Sequence, residues 1–71
     1  MRYLIILEKA EHNYSAYCPD LPGVIAVGDT IEDTKHNMRE AIAFHIQGML
    51  EDGDPIPQPS DAEWIDVPVA S

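Results

Sequence analysis

The sequence predicts an α+β domain in the order β-β-β-α-β: a three-stranded antiparallel meander, one long amphipathic helix and a further short strand. Three observations carry this. Before residue 28, apolar residues run together or alternate with period two in three short stretches. From Ile31 the apolar spacing changes to that of a helix and holds for about six turns. The connections between the first three stretches are short, which favours antiparallel neighbours.

Taken in chain order, Tyr3-Leu4-Ile5-Ile6-Leu7 is a continuous apolar run, suited to a strand covered on both faces or central in a sheet. Lys9 to Asn13 is polar and reads as a hairpin loop. In the second strand, Tyr14, Ala16 and Cys18 alternate with Ser15 and Tyr17. Pro19 and Pro22 then each hold φ near about −65° and bias the preceding residue toward extended geometry. With Gly23 they form a stiff corner. Val24 to Val27 is the third strand, closed by Gly28-Asp29.

Thr30 is a good N-cap, Asp33 stands at the capping-box position, and Glu32 suits the positive end of the helix dipole. Ile31, Thr34, Met38, Ala41, Ile42, His45, Ile46 and Met49 form one stripe. Gly53 suits the position after the helix and Pro55 prevents continuation, so the helix spans Ile31 to Asp52. These parts make a 1–53 core within a single domain, 1–71. A proline-rich connector, 54–63, follows with three prolines at alternate positions, and Trp64 to Val69 is the expected last strand. Pro68 cannot donate to a ladder and belongs at that strand's end or on an edge.

With 71 residues the chain builds one small domain, and its single cysteine, Cys18, rules out an internal disulfide framework. A core this small is marginal alone, so a homo-oligomer, dimer or tetramer, is expected. A lone thiol, no leader-like segment and an apolar run far too short to cross a bilayer point to a soluble cytoplasmic protein with no membrane partner. The net charge is −9, from four Lys and Arg against thirteen Asp and Glu. All four basic residues, Arg2, Lys9, Lys35 and Arg39, precede position 40, and seven acids follow. Such a chain would repel a phosphate backbone, so direct nucleic-acid binding is not expected. A basic protein is the natural complement; the plainer alternative is that the acids only maintain solubility.

The stretch Tyr14-x-Ala16-Tyr17-x-Pro19-Asp20-Leu21-Pro22-Gly23 is followed by Gly28-Asp29-Thr30 and a helix carrying Arg39-Glu40-Ala41-Ile42. Then come His45-Ile46-Gln47-Gly48-Met49 and Asp52-Gly53-Asp54-Pro55-Ile56-Pro57. In this order and spacing the chain resembles the HicB antitoxin family over about residues 2 to 60. The resemblance implies a partial ribonuclease-H-like fold. It also implies a role as the antitoxin of a HicAB-like type II toxin-antitoxin system, masking a HicA-like toxin, a small basic ribonuclease that cuts messenger RNA. Many members add a C-terminal helix-turn-helix or ribbon-helix-helix domain. The chain stops at Ser71 without room for one, so autoregulation by direct DNA binding is not expected.

Two other functions compete with this one. A degenerate ribonuclease-H-like nuclease would need carboxylates converging on magnesium, and Glu8, Asp20 and Glu40 are the candidates. Glu40, however, lies about 160° from Met38 around the helix and faces away from the sheet. A stand-alone binding or structural module without a toxin is the other. His36 and His45 are nine apart, about half a turn out of phase, so they cannot share a ligand sphere. Neither they, His12 nor Cys18 makes a metal or nucleophile site, and no catalytic residue, metal ligand or cofactor is assigned. The candidate partner or oligomer contacts are Tyr17 with the corner Pro19, Asp20, Leu21 and Pro22, then Phe44 and Trp64. Each has a plainer alternative: a stiff turn for the corner, cover for the sheet margin for Phe44, and a plug for the open core for Trp64.

Overall fold

In the computed structural model, which describes residues 1–70, three strands precede one helix: β1 (Ile6–Lys9), β2 (Tyr14–Tyr17), β3 (Ile25–Gly28) and α1 (Ile31–Asp52). Ser71 lies outside the described residues. The strands form one antiparallel sheet in the order β1-β2-β3. Leu7, Ala16 and Ala26 stand opposite one another on the face toward α1; Ile6, Tyr17 and Ile25 stand opposite one another on the outer face.

The run of apolar residues at the start does not make β1 central. In a meander the middle strand is β2, so β1 is an edge. It also begins at Ile6 rather than Tyr3, because its partner ends at Tyr17 and the chain turns away at Pro19, which has no N–H to give. That turn is a pair of successive β-turns. The Leu21 amide donates to the Cys18 carbonyl at 3.1 Å, and the Val24 amide to the Leu21 carbonyl at 3.2 Å. Pro22 and Gly23 occupy the middle of the second, and Gly23 at φ 88° gives it type II geometry.

The helix begins and ends as its caps dictate. The Thr30 hydroxyl accepts from the Asp33 amide at 3.0 Å, with Glu32 and Asp33 in the first turn. At the other end Gly53 is left-handed, φ 74°. Its amide donates to Leu50 and that of Asp54 to Met49, the paired bonds of a Schellman cap. Gly28 lets this helix start against β3: a Cβ there would sit 2.6 Å from the Thr34 nitrogen and 2.7 Å from its hydroxyl.

Ala16, Cys18, Leu21, Val24 and Met38 form the buried core, with Tyr3, Ile5, Ala26, Ala41, Ile42 and Ile46 packed around it. The helix packs chiefly on β3 and then on β2. Asn37 donates to the Val27 carbonyl at 2.8 Å and so occupies part of the β3 edge. On the β1 side the helix stands off, and Leu7 stays exposed although it faces inward.

The segment 64–69, expected as a further strand, is in no sheet. The connector is anchored instead: Tyr3 Oη donates to the Pro57 carbonyl at 2.6 Å, and Ser60 binds Asp20. Beyond Ser60 no ladder bond ties the chain to the sheet among the described residues, although residues 62–64 run beside Leu4 to Leu7. The expectation that Trp64 plugs the core is also overturned, since it is 98% exposed. The core is closed without it by Leu21 and Met38.

Candidate protein-binding surface

The corner holds three of the candidate residues at the surface and turns one inward. Pro19 and Pro22 are exposed, and Tyr17 leads into them from the outer face of β2. Leu21, named as a contact from sequence, is only 1% exposed. It fills the core beneath the corner, where it supports the turn and does not meet a partner. A Pro-x-x-Pro corner offers no sequence signal for which of its residues points down. Asp20 is engaged within the chain: its two oxygens accept from the Ser60 amide at 2.9 Å and from the Ser60 hydroxyl at 2.6 Å. These two bonds favour the charged form, the hydroxyl's most, and hold the Asp20 carboxyl below its ordinary value.

Tyr17 has apolar company that the sequence pattern hid. Ile6 and Ile25 flank it across the sheet, and Val27 and Leu4 extend the same face. Ile25 is 70% exposed. Strand β3 is apolar at every side chain it has, so alternation could not tell its covered face from its open one. Phe44 is 81% exposed but lies on α1, across the sheet from Tyr17. The candidates therefore fall into separate places: an outer sheet face with the corner, the exposed side of α1, and the projecting tail.

The carboxylates considered for catalysis stay apart. Glu8 stands opposite Ser15 on the outer sheet face, Asp20 is bonded to Ser60, and Glu40 on α1 lies 3.3 Å from the exposed His36. Cys18 is buried in the core, and His12 is beside Glu11 in the β1–β2 loop. Among the described residues no three His, Cys, Asp or Glu side chains gather as a metal site. Exposed acids instead run along α1 and off its end: Glu32, Asp33, Glu40, Glu51, Asp52 and Asp54. No helix among the described residues is long and apolar enough to cross a membrane.

A three-stranded meander backed by one helix, acidic outside and with an open apolar sheet face, defines a small α+β binding domain. Residues 3–68 match the family described as HicB_like antitoxin of bacterial toxin-antitoxin system, and the chain belongs to that family. It is 43% identical over 63 residues to an uncharacterized 14.9 kDa protein of the rep-hol intergenic region of Haemophilus phage HP1, covering 89% of this chain and 47% of the phage protein. The chain thus spans about half the length of that relative. Among solved structures, the N-terminal domain of the Burkholderia pseudomallei antitoxin HicB superimposes with a TM-score of 0.74 at 35% identity, over 86% of this chain and 73% of that one. A chain of a HicA3 and HicB3 toxin-antitoxin complex does so with a TM-score of 0.72, also at 35% identity, over 83% and 70%.

Proposed function

We propose that this chain acts as the antitoxin domain of a HicAB-like type II system, holding a small basic, messenger-RNA-cleaving HicA-like toxin by occlusion. The observation that carries this is the likeness to a chain of a HicA3 and HicB3 toxin-antitoxin complex, taken with the net charge of −9. The net negative charge of the chain draws a basic toxin, and the encounter is steered before contact. The apolar outer face with Tyr17, Ile6 and Ile25, bordered by Pro19 and Pro22, gives the contact its dry centre. The chain performs no turnover in this role: it blocks the toxin's RNA-contacting surface. It works as a homo-oligomer in the cytoplasm, where its unpaired Cys18 stays reduced.

The test is co-expression with the small basic protein encoded beside its gene, followed by co-purification and an RNA-cleavage assay. The expected result is a stable complex in which RNA survives, while the chain alone with magnesium leaves RNA intact. Cleavage by the chain alone would assign it to the nucleases. No binding to any such neighbour would favour the stand-alone module.

A further inference from the structure

Three of the four cations of this acidic chain gather at one place. Arg2, Lys35 and Arg39 rim a groove of about 340 Å³ between the N-terminal segment and α1, floored by Ile5, Met38 and Ile42. The groove exists because α1 packs on β3 and β2 and stands off from the β1 side. Its volume is at the lower end of the roughly 300–1,000 Å³ typical of ligand pockets. Arg2 and Arg39 are in no ion pair among the described residues, and Lys35 has only Glu32, at 3.9 Å. A groove with an apolar floor and a basic rim fits an acidic segment that carries large apolar side chains. A basic toxin would be repelled by it.

The chain contains one such segment, and among the described residues no hydrogen bond or ion pair holds residues 61–70. Asp61, Glu63 and Asp66 interleave with Trp64, Ile65 and Val67, and no basic residue interrupts them. Trp64, Ile65, Val67 and Val69 are all exposed. The tail does not serve its own groove. The Asp20–Ser60 and Tyr3–Pro57 bonds direct it elsewhere, its residues 62–64 lie beside Leu4 to Leu7, and none of residues 57–70 lines the groove. The radius of gyration is 14.6 Å, against about 11 Å for a compact chain of this length, and the long axis reaches 51 Å.

We propose that the groove between the N-terminal segment and α1 receives the acidic, tryptophan-bearing tail of a second copy of this chain, and that the exchange is reciprocal. Each copy gives one tail and offers one groove, so a two-fold pair closes and leaves neither unmatched. One aromatic and three aliphatic side chains present about 400 Å² per tail, so two tails and the small grooves that take them bury on the order of 1,000 Å². That is about the least a specific interface needs. The proposal does not rest on the antitoxin role, and its test needs no toxin.

Trp64 is the only tryptophan, so its fluorescence reports the tail directly. Sedimentation equilibrium and emission spectra of the whole chain, from sub-micromolar to hundreds of micromolar, should show a dimer forming together with a blue shift. Trp64→Ala and Arg39→Glu should each weaken dimerisation at least tenfold, with circular dichroism unchanged because both side chains are outside the core. Mixing Arg39→Glu chains with Glu63→Arg chains should restore a mixed pair. A wild-type chain that stays monomeric throughout, or a dimer indifferent to both substitutions, overturns the proposal. So does a tail that becomes protected only when a toxin or a small anion is added.

Discussion

At the scale of single residues, a few positions accept only the residue they hold. Gly28 is one: any Cβ there collides with the first turn of α1, so Gly28→Ala should cost about 1–3 kcal/mol, measured by urea denaturation. Asp20 is another, and its effect depends on pH. Its folded pKa lies below the ordinary carboxylate value of 3.8, so the stabilisation is fully present above 3.8. It is lost as the pH falls through the lower folded value. The Ser60 amide, followed by NMR in an acid titration, should keep its bonded chemical shift at pH 5 and lose it only below 3.8. Asp20→Asn should show a displaced Ser60 resonance at every pH. The bond itself was not legible in the sequence, where Asp20 and Ser60 are forty positions apart and each is an ordinary loop residue.

At the scale of elements, α1 is both scaffold and support. Its caps are local, and both were legible: Thr30 bonds an amide three residues on, and Gly53 closes a Schellman turn. Its stripe was legible in direction but not in depth. Met38 is completely buried, whereas Ile31, at the start of the same stripe, is exposed. In the first turn Thr34, not Ile31, faces the end of β3, and the periodicity carries no information about where the sheet ends. Met38→Ala should therefore cost about 2–4 kcal/mol in thermal or urea unfolding. That is a large part of the about 4–10 kcal/mol expected for a domain of this length. Phe44→Ala should change stability by less than about 0.5 kcal/mol, because its ring is largely exposed. A larger loss would mean that the ring is covered in an assembly.

For the whole molecule, charge is the governing property. Nine net negative charges on one small body repel one another, so moderate salt should raise the midpoint of thermal unfolding of the isolated chain. The same salt should slow association with a basic toxin, since steering is screened. Surface plasmon resonance at 50 and 500 mM salt should show the association rate falling several-fold while dissociation changes less. The cations follow a different logic. Scattered at positions 2, 35 and 39, three of them meet at one groove only because α1 crosses the sheet with its first half beside the N-terminal segment.

The three strands of the sheet, the helix, the rigid corner and both helix caps could be read without coordinates, because each depends on residues within a few positions of one another; the expected strand at 64–69 could not be confirmed from such local pattern and did not form. Family membership was legible for the same reason, as an ordered series of short local patterns. Packing alone turned Leu21 inward, left Trp64 outside and brought Arg2 to Arg39. Those outcomes depend on how far the helix slides across the sheet and where a clamped connector releases the chain. Both are balances among distant contacts, to which periodicity and spacing are blind.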